Sequence, residues 1–158
     1  MKEKLTIEKA KKISAEYLNK VEDKRLMEFL LIHSSKVAEI SILIGKVKKL
    51  DIESLEIAGF VHDIGYFISE HDHPKNSLDI LVKKKFEIDE KLKDCVLNHG
   101  ANDEPQTEEG KIFQIADKIS ILDQETLSIF LNDNPLTKEE KEFLAMMLSK
   151  ASMFLSRL

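Results

Sequence analysis

The sequence predicts an all-α domain, a bundle of about six to eight helices, on three observations. Apolar residues recur at helical spacing along nearly the whole chain, and no segment shows a convincing period-two alternation. Glycine (5) and proline (3) are scarce, as an all-helical domain has them. A length of 158 residues is ample for one buried core, so residues 1–158 read as a single domain.

The first helix is expected from about Thr6 to Asn19, with Thr6 as cap and Ile7, Ala10, Ile13, Ala15 and Leu18 as its apolar residues. A second runs from about Lys24 to Leu50. Its stripe Leu26, Leu30, His33, Val37, Ile40, Ile44 is spaced 4-3-4-3-4, a single buried face. Asp51 caps a third, through Leu55, Ala58, Phe60 and Val61, ending near Gly65. His73-Pro74 opens a fourth, because proline in the first turn lacks only an N–H that has no partner there. It carries Leu78, Ile80, Leu81 and Val82 and frays into Lys83-Lys84-Lys85.

Asp89 caps a fifth helix, through Leu92 and Val96 to His99, stopped by Gly100. Residues 101–106 form the clearest loop. Thr107 starts a sixth helix through Ile112, Phe113, Ile115, Ala116, Asp117 and Ile121. A further helical stretch reaches Phe130, and Asn132-Asp133-Asn134-Pro135 marks a turn. Thr137-Lys138-Glu139-Glu140 is a capping box for the last helix, expected over 138–157.

Composition narrows the function classes. Apolar content of 42% beside 34% charged residues fits a soluble globular protein. No apolar tract approaches the roughly 20 residues that span a bilayer, and the start Met1-Lys2-Glu3-Lys4-Leu5 does not resemble a signal peptide. Cys95, the single cysteine, excludes an intramolecular disulfide and a thiolate zinc cluster, and a cytoplasmic setting is expected. A net charge of −5 argues against binding along extended nucleic acid, which wants a basic face. A small phosphorylated substrate is compatible with it, because a metal ion can supply positive charge locally.

The histidines carry the chemistry. All five lie between residues 33 and 99. His33 sits on the buried stripe of the second helix, and His99 follows Val96 by three residues and Leu92 by seven. Asp117 has Phe113 four residues before it and Ile121 four after, and an ionised carboxylate buried there costs several kcal/mol unless paired or coordinated. The ordinary account of each is separate: hydrogen-bonded core histidines, and a salt bridge for Asp117 with a nearby lysine or Arg25. His62 would rest on its helix dipole beside a solvated Asp63; His73 would be a loop residue before Pro74; His71 is read as solvated or as supporting the site. Five separate buried partners would then be needed for His33, His62, Asp63, His99 and Asp117. One metal centre, built from imidazole nitrogen and carboxylate oxygen, satisfies them together. Consecutive helix residues point about 100° apart. His62 and Asp63 can therefore share an ion only close to the backbone, an approach that Gly59 and Gly65 would permit.

The ordered set H…HD…H…H…D resembles the HD superfamily of metal-dependent phosphohydrolases over about Leu26 to Leu122. His33 is similar to that family's first histidine, His62-Asp63-Ile64-Gly65 to its signature doublet with the Ile-Gly extension, and Asp117 in Ile115-Ala116-Asp117-Lys118 to its closing aspartate. His73-Pro74-Lys75-Asn76-Ser77 resembles the His-Pro-x-x-Gly segment of the subgroup with extra histidines, with Ser77 in place of glycine, and His99 resembles that subgroup's next ligand. Tyr66 stands where a lysine often follows the doublet, no glutamate stands there either, and Gly-Tyr-Pro is absent after His99. Hydrolysis of cyclic dinucleotides, linked to that motif, is therefore not expected.

The resemblance implies an HD-type helical bundle that hydrolyses a phosphoester or phosphoanhydride of a small, nucleotide-like substrate with a metal-activated hydroxide. It implies His33, His62 and Asp117 on one ion, His73 and His99 on a second, and Asp63 as the bridge, with Asp63 and His62 at the catalytic centre. Nitrogen and oxygen ligands favour iron, manganese, cobalt or nickel over calcium, with magnesium also accommodated. Lys75, Lys118 and Tyr66 are the candidate substrate contacts, although solvated lysines would look the same. Two alternatives keep the ligands: a di-iron oxygenase of the same fold, which would absorb visible light and consume oxygen, and a nucleotide-binding regulator without turnover. The sequence specifies neither the substrate's identity nor an oligomeric state.

Overall fold

The structure is a computed structural model and describes residues 1–132 and 134–158; Asp133, in the turn expected over 132–135, lies outside the described residues. Eight α-helices are present among them: α1 (Ile7–Leu18), α2 (Lys24–Lys48), α3 (Ile52–Val61), α4 (His73–Lys83), α5 (Glu90–Leu97), α6 (Glu108–Ile119), α7 (Gln124–Phe130) and α8 (Lys138–Leu155). A 3₁₀ turn, Ser120–Leu122, joins α6 to α7. The all-helical reading holds, with one small addition. Glu3–Lys4 (β1) pairs in parallel with Phe86–Glu87 (β2), matching Glu3 to Phe86 and Lys4 to Glu87. Two-residue strands are too short to show a period in sequence.

The expected caps act as caps: the side chains of Thr6, Asp51, Asp89 and Thr107 each accept a backbone N–H in the first turn of their helices. Asp23 and Asp123, not singled out in the sequence, cap α2 and α7 in the same way. Thr137 and Glu140 complete the capping box of α8. α4 has Pro74 in its first turn and no side-chain cap.

Five helix ends fall earlier than the periodicity suggests, those of α6 at Ile119 and α8 at Leu155 by two residues each. α2 closes through a left-handed Lys49 (φ 57°). α3 stops at Val61 because short-range bonds take over, Tyr66 N–H donating to the Asp63 carbonyl at 2.9 Å. α5 stops at Leu97, where the Asn98 amide bonds back to Asp94 Oδ1 at 2.7 Å, a local competition that favours leaving the helix. Both of the latter ends deliver a ligand-type residue, His62-Asp63 and His99, in a turn rather than on a helix face.

Two glycines set the close packing around that turn. A Cβ on Gly59 would lie 2.6 Å from Ala38 Cα, so α3 rests backbone to backbone on α2. A Cβ on Gly65 would lie 2.6 Å from the His73 carbonyl oxygen, Asn76 Cβ and Ser77 N, so the turn after α3 abuts the start of α4. These glycines let helices approach one another, which corrects the expectation that they open room for an ion beside the backbone. His62 caps α3 with helical dihedrals, and Asp63 is the first residue of the turn that follows.

Leu55, Ala58, Val61, Ile64, Leu81, Val96 and Phe113, with no or almost no exposure, fill the space between α1, α3, α4, α5 and α6. A second cluster, Leu18, Phe29, Leu30, Ile121, Ile129, Phe130 and Ala151, joins α2 to α7 and α8. Each large side chain so buried contributes roughly 1.5–3 kcal/mol. That apolar burial is what offsets the placing of six ionisable groups between the two clusters. No described helix is long and apolar enough to cross a membrane.

Candidate metal centre

All six predicted ligand-type residues converge. His33 comes from α2, His62 and Asp63 from the turn after α3, His73 from the first residue of α4, His99 from the turn after α5, and Asp117 from α6. His33, His62, Asp63, His99 and Asp117 are buried, and His73 is partly exposed at the mouth of the cleft.

The distances divide the six into two sets around Asp63. His33 Nε2 lies 2.9 Å from Asp117 Oδ1 and 3.5 Å from Asp63 Oδ2; His62 Nε2 lies 3.4 Å and 3.2 Å from the same two oxygens. On the other side, Asp63 Oδ1 is 3.1 Å from His73 Nε2 and 3.7 Å from His99 Nε2. The two Asp63 oxygens thus face different histidine pairs. Ligands at about 2.0–2.2 Å from one ion lie roughly 3–3.5 Å from each other, the spacing found here. Two groupings, His33 with His62 and Asp117, and His62 with Asp63 and His99, could each hold a metal ion.

The tautomers agree with ligation. His62 Nδ1 is 3.0 Å from the Gly59 carbonyl oxygen, His99 Nδ1 is 2.8 Å from that of Val96, and His73 Nδ1 is 2.5 Å from that of Glu70. A carbonyl accepts only, so each Nδ1 carries the proton. Ser120 Oγ donates to the Asp117 carbonyl oxygen at 2.8 Å and therefore accepts from His33 Nδ1, also at 2.8 Å. Every Nε2 then points into the cluster, the arrangement that metal-ligating histidines adopt. His33 Nε2 faces His62 Nε2 at 3.3 Å, and His73 Nε2 faces His99 Nε2 at 2.9 Å. Facing lone pairs require a shared proton or a cation.

The electrostatics show the same demand. Burial pulls the His62 pKa down, but Asp63 and Asp117 outweigh it and push it up to about 10. Burial holds His99 down at about 3, a neutral imidazole whose Nε2 is a bare acceptor. Asp63 and Asp117 stay well below the usual carboxylate range despite burial, held there chiefly by His62 for the first and Lys118 for the second. Four imidazoles and two ionised carboxylates therefore fit a divalent cation, and the residues present suit the group.

The remaining candidates sit on the walls of a cleft of about 770 Å³. Tyr66 lies against the His73 ring, centroids 5.0 Å apart, and its phenol is kept protonated by burial and by the charge of Asp63. Lys118 is buried and its ammonium is held by Asp117 Oδ2, a pair between neighbours on α6 rather than a bridge between helices, while the other oxygen faces His33 and His62. Arg25 pairs instead with Glu140. Lys75 lines the rim, and its exposed ammonium is held by Asp79 at 2.9 Å. His71 is exposed at the same rim.

Three contributors escaped the sequence reading. Ser120, three residues after Asp117, fixes the His33 tautomer; that spacing was its only signal. Ser77, fully buried, donates to the His62 carbonyl oxygen at 2.7 Å and accepts from Gly65 N–H at 2.9 Å, clamping the signature turn onto α4. Lys150 on α8 also lines the cleft, from a helix well beyond the motif residues.

Asp94 braces the other half of the site. Its Oδ2 accepts from Gln106 N–H (2.9 Å), Thr107 N–H (2.7 Å) and Thr107 Oγ1 (2.6 Å), tying α5, which delivers His99, to α6, which delivers Asp117. Burial raises its pKa, but the bonds from Thr107, Asn98 and Gln106 outweigh burial and leave it below 3.8. Asp94→Ala is expected to cost about 3 kcal/mol at neutral pH, the scale of losing hydrogen bonds to a charged acceptor. The folded pKa lies below the unfolded one, so this contribution is complete above about pH 4 and is lost as pH falls through the depressed value. Urea denaturation of both proteins at pH 7 and at pH 3 reads it; a difference that persists or grows in acid contradicts it.

An all-helical bundle with a histidine–aspartate cluster between its helices defines a metal-binding hydrolase-type domain. The chain belongs to the HD domain family, whose model matches residues 30–122, and carries an HD-type metal-dependent phosphohydrolase domain. Ribonuclease Y of Ureaplasma parvum serovar 3 is 34% identical over 94 residues, 58% of this chain but 20% of the relative. Ribonuclease Y of Mycoplasma mycoides subsp. mycoides SC is 35% identical over 92 residues, 58% and 18% of the two chains. A deoxyguanosinetriphosphate triphosphohydrolase-like protein of Caldanaerobacter subterraneus subsp. tengcongensis is 25% identical over 114 residues, 60% and 34%. The chain thus spans about a fifth to a third of these relatives' lengths. The crystal structure of a predicted HD superfamily hydrolase from an uncultured Thermotogales bacterium superposes with a TM-score of 0.61 at 19% identity, covering 95% of this chain and 89% of that one, and shares the fold.

Proposed function

We propose that the protein hydrolyses a phosphoester or phosphoanhydride of a small, nucleotide-like substrate at a centre of two divalent ions shared by Asp63. The observation that carries this reading is the split of the Asp63 carboxylate, one oxygen toward His33 and His62 and the other toward His73 and His99. His33, His62 and Asp117 would hold one ion and His73 and His99 the other. When bound, divalent ions lower the pKa of water and polarise phosphoryl oxygens.

The chain's own part is positioning. The Nδ1 bonds of four histidines fix the ring planes, and the Ser77 clamp fixes the His62-Asp63 turn. Phe29, which stacks on the His33 ring, and Leu30 and Leu97 give the cleft apolar lining. Tyr66, protonated at neutral pH, offers a hydrogen-bond donor in the place where a lysine often stands. Relatives named as a ribonuclease and as a triphosphohydrolase-like protein support a phosphorylated substrate.

Metal analysis of protein purified without chelator, followed by a screen of phosphoesters and dinucleoside polyphosphates, tests the reading. Phosphate release that a chelator stops and added manganese or iron restores is the expected result. Oxygen consumption with a visible absorption band and no phosphate release would replace it with the oxygenase reading.

A further inference from the structure

We propose that Lys150, on α8 outside the family-matched residues, receives the phosphoryl group of the substrate, and that the cleft fits an ester bearing one phosphoryl group on an alcohol that carries a planar ring. The inference rests on the phosphohydrolase reading above and adds its substrate class.

Three lysines line the cleft: Lys75, Lys118 and Lys150. Two are committed, Lys75 to Asp79 and Lys118 to Asp117. Among the described residues Lys150 has no carboxylate within ion-pair distance, although it is only partly exposed. Burial and then the positive charge of Lys118 lower its pKa, opposed more weakly by Asp117 and Glu70. An ammonium in that position lacks an anion, and a phosphoryl group bound beside Asp117 would supply one.

The remaining wall charges argue for a single phosphoryl group. Outside the proposed ligand set, Glu70, Asp72 and Asp103 line the same cleft, all exposed. A second and third phosphate would meet these carboxylates with no free lysine to compensate them, and like charges brought together lower affinity. Phe143, Met146 or Met147, and Lys150 follow one another at the three- and four-residue spacing of one helix face. That face carries the cation at one end and an apolar, adaptable methionine surface behind it. It suits an ester whose alcohol carries a planar ring.

The test uses the full chain loaded with manganese, with Lys150→Met and Lys150→Arg, and reads two quantities. Inorganic phosphate is titrated calorimetrically, and steady-state rates are measured on adenosine 5′-monophosphate and adenosine 5′-triphosphate. Lys150→Met should weaken phosphate binding and raise KM for the monophosphate by about tenfold or more, with kcat changed far less, while Lys150→Arg restores most of both. The wild type should show the higher kcat/KM on the monophosphate. Phosphate affinity and KM within about twofold of wild type in Lys150→Met, or a higher kcat/KM on the triphosphate, overturns the proposal. Absence of phosphoester turnover by the wild type sinks the phosphohydrolase reading separately, because the phosphate titration still judges Lys150.

Discussion

Asp63→Ala is expected to remove both metal ions and to lower phosphoester hydrolysis by about three orders of magnitude or more, the scale seen when a group on which a reaction depends is deleted. The reason is geometric. Asp63 Oδ2 lies 3.2 Å from His62 Nε2, and Oδ1 lies 3.1 Å from His73 Nε2, so one side chain serves both histidine sets. Among the described residues it is one of the two carboxylates in the groupings that could hold an ion. His99→Ala touches one set alone and is expected to release one ion and retain the other. Metal content measured by mass spectrometry on the three proteins, beside their rates, reads the difference. One equivalent of metal in the wild type, unchanged in His99→Ala, would remove the two-ion proposal.

Gly65→Ala should be nearly as damaging, through the backbone. The new Cβ would lie 2.6 Å from the His73 carbonyl oxygen and from Ser77 N, and neither can swing aside as a flexible side chain would. The start of α4 must retreat, carrying His73 away from Asp63 and breaking the Ser77 clamp on the His62 carbonyl. Forced overpacking of this kind costs about 3 kcal/mol, at the upper end of the usual range, and in a domain of this size should lower Tm by about 10 °C. Affinity for the second ion proposed above, on His73 and His99, should fall about 10–100-fold, as when a ligand loses its supporting contacts. A thermal melt and a metal titration unchanged from wild type would show that the turn and α4 are not in the contact described.

Much of the centre was legible because its ligands interrupt patterns that otherwise explain themselves. His33 breaks a stripe that is apolar on both sides of it, and Asp117 sits between Phe113 and Ile121 where a charge has no reason to be. The caps were legible because Thr and Asp side chains bond to backbone within three residues. The rest depends on contacts distant in sequence. Ser120 reaches His33 across 87 positions, and Lys150 reaches the cleft from a helix whose pattern shows only that it is amphipathic. Gly59 and Gly65 were visible as unusual, but whether each admits an ion or a neighbouring helix is decided by Ala38 and by α4, which a local reading does not contain. The early ends of α3 and α5 arise from side-chain competition and short turns that periodicity does not resolve.

The three histidines that follow helix ends or open one share a local device. His62, His73 and His99 each bond through Nδ1 to the carbonyl three residues earlier, Gly59, Glu70 and Val96. Their rings are therefore aimed by segments of four residues, and only His33 borrows its orientation from another part of the chain. In the folded protein these three rings are already aimed, so little rotamer freedom is left to lose when a cation arrives. Metal affinity then passes largely undiminished into the stability of the native state by mass action, and the centre fastens together segments that come from distant parts of the chain.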